Sequence, residues 1–156
     1  MKSTRYVFAV DPGLATGLAL FSIEEGQEPV MLYTWQTSMA DYAQRIRWVY
    51  DNYTGVETVC ERFLITPATA KKSQAPFSLE HIGILKQCMM DYGYDWEHLK
   101  LQAPADAKAL FPDAALRFLG YWVKGGPDHQ RDAVRHALLY LVHTGWQPIK
   151  LLEQDS

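Results

Sequence analysis

No apolar run among the 156 residues approaches the roughly 20 needed to carry a helix across a bilayer, so no membrane partner is expected. Cysteine is scarce. Cys60 and Cys88 stand in apolar settings with no CxxC pair, and two buried thiols in a reducing cytosol are the plain reading. A surplus of positive charge is also missing: 15 Lys and Arg face 18 Asp and Glu, a formal net charge of −3, which by itself argues against a nucleic-acid partner. There is no internal repeat, no low-complexity segment and no linker, so residues 1–156 are expected to form a single domain around one core. The stretch from Met1 to Val10 runs into Asp11 without a small-residue cleavage site, so no signal peptide is expected and the chain is assigned to the cytoplasm.

What is present is the composition of a folded domain, 48% apolar and 13% aromatic. Its charge is unevenly placed. Glu24, Glu25 and Glu28 crowd one turn and Glu153 and Asp155 the C-terminal tail. Arg45, Arg47, Arg62, Lys71, Lys72, Lys86, Lys108, Arg117, Lys124, Arg131 and Arg135 fall between. A fold that gathers these on one face would still bind phosphates, and a metal site would offset several carboxylates.

Apolar patterning predicts strands at Tyr6–Val10, Leu18–Ile23 and Val30–Trp35, the first three forming an antiparallel meander. At Ser38 the period changes. Ser38 with Asp41 resembles a capping box, and Tyr42, Ile46, Val49, Tyr50 and Tyr53 recur at helical spacing until Thr54-Gly55 stops them. Val56–Cys60 is a fourth strand that delivers Glu61 at its end. Residues 62–77 read as a loop. Ser78 is expected to cap a second helix with Ile82, Leu85, Met89 and Tyr92 on one face. A short strand at Leu99–Gln102, helical segments over Ala105–Leu119 broken at Pro112, a Gly125-Gly126-Pro127 turn and a helix from Asp128 to His143 complete the chain. This order predicts an α/β fold with a five-stranded mixed sheet and helices on both faces.

Three element ends carry the chemistry. Asp11 follows the first strand and opens a loop with Gly13 and Gly17, where backbone can approach a ligand closely; alone, such an Asp is a turn residue. Glu61 follows Val59-Cys60 directly, where a buried carboxylate needs a partner; that partner is a cation or simply Arg62 or another basic residue. His129 and Asp132 fall within one helical turn on the same side, at the rim of an apolar arc of Ala133, Val134, Ala137, Leu138 and Leu141. Asp128 after Gly-Gly-Pro is a good N-cap, and a first-turn Asp132 is also favoured by the helix dipole. His129, His136 and His143 share a stripe that reads equally as core edge. Carboxylates gathered in one cleft repel, and a bound cation is the usual reason to hold them together. Oxygen-rich ligation without paired cysteines suits Mg²⁺ or Mn²⁺ better than zinc, and two such ions serve phosphodiester hydrolysis.

Together, Asp11-Pro12-Gly13 with Gly17, Cys60-Glu61-Arg62-Phe63 and His129-x-x-Asp132-Ala133 resemble the RuvC-type Holliday-junction resolvases of the RNase H-like superfamily. The likeness covers nearly the whole chain in element order. It implies a homodimer that binds branched DNA, a four-way junction, and nicks two strands symmetrically with Mg²⁺ or Mn²⁺ in each subunit. By position, it makes Asp11, Glu61 and Asp132 the carboxylate ligands and His129 the residue where the family has another acid or a histidine. It sets Phe63 near the junction centre and Lys108 near a phosphate-contacting lysine. Arg62, Lys71 and Lys72 flank Glu61 and are further candidates for phosphate contact. The loop after Asp11 is one residue shorter than usual, Arg62 stands where Gln is common, and the span from Asp11 to Glu61 is compact. The resemblance is therefore to a trimmed version such as bacteriophages carry, which would act in the bacterial or host cytoplasm.

Other readings make different demands. A general structure-selective or RNase H-type nuclease differs only in substrate. A nucleotide-binding domain of the actin and sugar-kinase class would need a second glycine-rich loop and about twice the length. A non-catalytic DNA-binding module would lack an acid at one of the three positions, and none is missing. For the dimer, the second helix over Leu79–Tyr92 is the expected interface. Gly83 within it costs on the order of 1 kcal/mol against Ala, understandable if another backbone packs there, either a second copy's or this chain's own sheet.

Overall fold

The computed structural model describes residues 2–63, 66–68, 75–126 and 128–154. Five strands form one sheet: β1 Thr4–Asp11, β2 Thr16–Glu24, β3 Val30–Thr37, β4 Val56–Glu61 and β5 Lys100–Gln102, in the order β3-β2-β1-β4-β5. β1, β2 and β3 are antiparallel neighbours, while β4 lies parallel to β1 and β5 parallel to β4. This is the expected mixed sheet. The helices are α1 Met39–Asn52, α2 Ala75–Asp91, α3 Pro104–Leu110, α4 Asp113–Leu119, α5 Asp128–His143 and α6 Ile149–Gln154. No helix among the described residues is long and apolar enough to cross a membrane.

The period-two alternation of a strand sorts β1 between two cores. Val7 and Ala9 face α5 together with Phe111 and Leu116. Phe8 and Val10 face α1 and α2, packing with Tyr42, Ile46, Leu85 and Met89. Helices therefore cover both faces. On α1 the buried residues Tyr42, Ile46, Val49 and Tyr50 recur at the spacing of one helical stripe. The Tyr42 hydroxyl donates to the His81 carbonyl at 2.9 Å and so ties α1 to α2. Cys60 and Cys88 are free and buried, as expected.

Three local expectations are corrected. α2 starts at Ala75 rather than at a Ser78 cap, because Pro76 is compatible with a helix's first turn. Ser78 is buried one turn in and donates instead to the Pro12 carbonyl at 3.3 Å. Ser38 is the N-cap of α1, but its hydroxyl bonds the Asp41 carboxylate at 3.1 Å and caps no backbone N–H. Asp128 is the first residue inside α5, and its exposed carboxylate pairs with Arg131. The sixth helix was not expected from the sequence. As for Gly83, nothing among the described residues lies within 4 Å of where its Cβ would stand, so it does not pack against this chain's own sheet.

Gly17 is the glycine the fold depends on. A Cβ there would stand 1.8 Å from the carbonyl oxygen of His129 and 2.8 Å from the backbone nitrogen of Gln130. The first turn of α5 therefore rests directly on the start of β2, opposite Asp11 in the ladder. Backbone cannot yield as a flexible side chain does. Gly17→Ala is expected to destabilise the fold by about 1–3 kcal/mol, as overpacking does, and to shift the His129 resonances. Thermal unfolding and an NMR spectrum of the histidine rings check both; a variant with the wild-type midpoint would mean that α5 moves freely.

Candidate active site

The parallel ladder pairs Val10 with Cys60, so Asp11 and Glu61, the next residues, stand side by side at the C-terminal ends of adjacent strands. Neighbouring strands are about 4.8 Å apart. By alternation from Val7, Ala9 and Val59, which all face α5, both carboxylates point to the α5 side of the sheet. They are close enough that each shifts the other's proton affinity.

α5 lies over them with residues spaced three, four or seven apart. His129 Nδ1 is 3.0 Å from Asp11 Oδ2, and His136 Nε2 is 3.1 Å from Glu61 Oε2. One turn further on, the Tyr140 hydroxyl donates to Glu57 Oε1 at 2.7 Å. Asp132 stands between the histidines in sequence but turns to its own helix. Arg135 Nη1 donates to its Oδ1 at 2.7 Å, and Lys108 Nζ on α3 lies 3.8 Å from its Oδ2. Arg135 is buried, also donates to the Phe111 carbonyl at 2.8 Å and pairs with Asp113, which fixes α5 against the break between α3 and α4. A cleft of about 430 Å³ opens here, lined by Lys108, Pro112, Asp113, Asp128, Asp132 and Arg135.

The electrostatics follow from burial and like charge. Burial drives Asp11 up to about 7 against the pull of the His129 hydrogen bond, and the charges of Glu61 and Asp132 add to the rise. Burial also pushes Glu61 up, but hydrogen bonds from His136 and Asp11 outweigh it and hold it below the usual carboxylate range. The hydrogen bond to Asp11 raises His129, against desolvation. The pair thus keeps a proton on Asp11, the more buried member. Two carboxylates that share a proton in this way fit a cation, whose charge would replace the proton. Among the described residues no group of three or more His, Cys, Asp and Glu side chains is arranged to hold a metal ion, consistent with Asp132 facing Arg135 and Lys108.

Of the residues singled out from sequence, Asp11, Glu61 and His129 come together, while Asp132 and Lys108 line the neighbouring cleft. Arg62 is exposed just beyond Glu61, its N–H bonded to the Gln102 carbonyl at 2.7 Å, and Phe63 is half-buried. Lys71 and Lys72 lie outside the described residues. Glu61's partner is His136, not Arg62. His136 was missed as a site residue; the signal was the seven-residue spacing from His129, which reads equally as core edge. Much of the basic charge of the middle of the chain is engaged within the fold. Arg45 stacks on Trp35, Arg117 and Arg131 flank Trp122, and Arg47 pairs with Asp91.

A carboxylic acid raised on folding destabilises the folded state as pH climbs. Folded Asp11 keeps its proton up to about 7, whereas the unfolded chain loses it near 4, so this contribution to stability falls between those values. Glu61 works in the opposite sense. Asp11→Asn is therefore expected to be more stable than wild type at pH 8 by roughly 3–4 kcal/mol, with the gap closing towards pH 4. Urea unfolding in chelator at the two pH values measures it, and a constant gap would show that Asp11 ionises normally.

No protein-family model and no curated protein sequence matches the chain. Solved structures do. RuvC of Thermus thermophilus in complex with a Holliday junction substrate superposes with a TM-score of 0.70 at 15% identity, over 90% of this chain and 96% of that one. A second Thermus thermophilus RuvC structure gives 0.68 at 16% identity, over 89% and 95%. The chain has the RuvC-type, RNase H-like fold.

Proposed function

We propose that this chain is a metal-dependent endonuclease that resolves four-way DNA junctions by paired nicks. The observation that carries the reading is the buried Asp11–Glu61 pair at adjacent parallel strand ends under His129, in a fold whose solved neighbour holds a Holliday junction. Asp11, Glu61, His129 and Asp132 would hold Mg²⁺ or Mn²⁺, two ions per site. When bound, such cations activate water and stabilise the leaving oxygen. Asp11 would hold a cation only as the carboxylate, and His129, 3.0 Å from its Oδ2, keeps that carboxylate oriented. Lys108 and Arg62 would contact phosphates beside the site and Phe63 would pack at the junction centre; Lys71 and Lys72, outside the described residues, are proposed as further phosphate contacts. Cleavage of a synthetic junction beside fork, flap and linear duplex, with Mg²⁺, with Mn²⁺ and with chelator, separates a resolvase from a general structure-selective nuclease. Asp11→Asn is expected to fall to the chelator background while still binding the junction, because the phosphates are held by positive side chains. Normal cutting by that variant would remove Asp11 from the site.

Paired nicks need two sites related by a two-fold axis, and we assign the interface to α2. Leu79 and Met90 are 43% and 46% exposed on it, and Gly83 between them is open to close approach. Gly83→Leu is expected to shift sedimentation at micromolar concentration from dimer to monomer and to uncouple the two nicks. A dimeric Gly83→Leu variant would move the interface elsewhere, and a wild-type monomer on junction DNA that still cuts both strands would end the dimer reading.

A further inference from the structure

Four polar groups around Glu61 fix each other's roles. Gln102, at the end of β5, sets its side-chain nitrogen 2.8 Å from the His136 carbonyl and 3.2 Å from His136 Nδ1. The carbonyl only accepts, so the group facing it is the amide NH₂ and not the amide oxygen. Flipping the amide would give its buried, unpartnered Oε1 a new setting, but it would press oxygen against the His136 carbonyl. The second amide hydrogen then points at Nδ1, which must accept. The ring proton of His136 therefore sits on Nε2, the atom 3.1 Å from Glu61 Oε2. His136 is 1% exposed and Gln102 5% exposed, so bulk solvent does not reach these positions.

We infer that His136, its ring set by Gln102, is a positioning residue that holds one oxygen of Glu61 and so keeps the carboxylate turned towards Asp11. The arrangement is that of a ligand held by an outer partner, in which the helix supplies the partner and a third strand aligns it. Arg135, the preceding residue, holds Asp132 in the same manner. The inference rests on the reading of Glu61 as a ligand, and two measurements on the full chain keep them apart.

The first is Mn²⁺ binding without DNA, followed by electron paramagnetic resonance. His136→Leu is expected to weaken it about 10- to 100-fold. His136→Gln, whose amide can stand in for the Nε2–H donor, should recover most of the loss. A folded His136→Leu variant that binds Mn²⁺ like wild type overturns the inference, as does a His136→Gln variant no better than His136→Leu. The second is the two-bond proton–nitrogen spectrum of the His136 ring in metal-free wild type, which needs no variant to fold. The Nε2–H tautomer is expected, and an Nδ1–H ring overturns the inference. A wild-type chain that shows the Nε2–H tautomer but binds no Mn²⁺ would count against the metal-dependent reading alone, leaving the bond from His136 to Glu61 standing.

Discussion

Repulsion between two carboxylates one strand spacing apart is the constraint around which the rest of the molecule is arranged. Parallel pairing of β1 with β4 forces Asp11 and Glu61 together, and burial denies them the water that would screen their charge. The fold answers with donors rather than distance. α5 provides an imidazole for each, and the glycine at the start of β2 lets that helix come close enough to do so. A site of this kind is held in tension between folding and function, since the same like charges that raise Asp11 are what would draw a cation in.

The second carboxylate layer is built differently. Asp132 does not share the proton of the strand-end pair. It is neutralised locally by Arg135, a buried guanidinium that also satisfies the Phe111 carbonyl where α3 ends. One side chain thereby closes a helix terminus and anchors an acid of the cleft. Lys108, largely exposed, adds a screened contact of little energetic weight.

Elements set by their own periodicity were legible in the sequence. Apolar runs ending in Asp11 and Glu61 gave the two strands of the site, and the pattern from about Asp128 to His143 gave α5. What escaped depends on partners far along the chain. Ser78 reads as a helix cap, yet its hydroxyl bonds the Pro12 carbonyl across the fold. Residues 62–77 read as a loop, yet Pro76 sits in the first turn of α2. His136 reads as the edge of a core, and only the closure of β4 and β5 beneath α5 turns it towards Glu61 and Gln102. Ser38 and Asp41 satisfy a capping pattern but bond each other. Side-chain hydrogen bonds between distant segments leave no periodic trace.

The contacts of α5 with the sheet also set a rule about length. His129, His136 and Tyr140 reach Asp11, Glu61 and Glu57 because the helix from His129 to Tyr140 runs along the sheet from the ends of β1 and β4 back towards the start of β4. Adding or deleting one residue between them would rotate all that follows by about 100° and detach the later partners together. This span can drift in sequence, residue for residue, but it cannot grow or shrink. Added length would be accommodated in the turns around Gly26 and Gly125, outside that ruler.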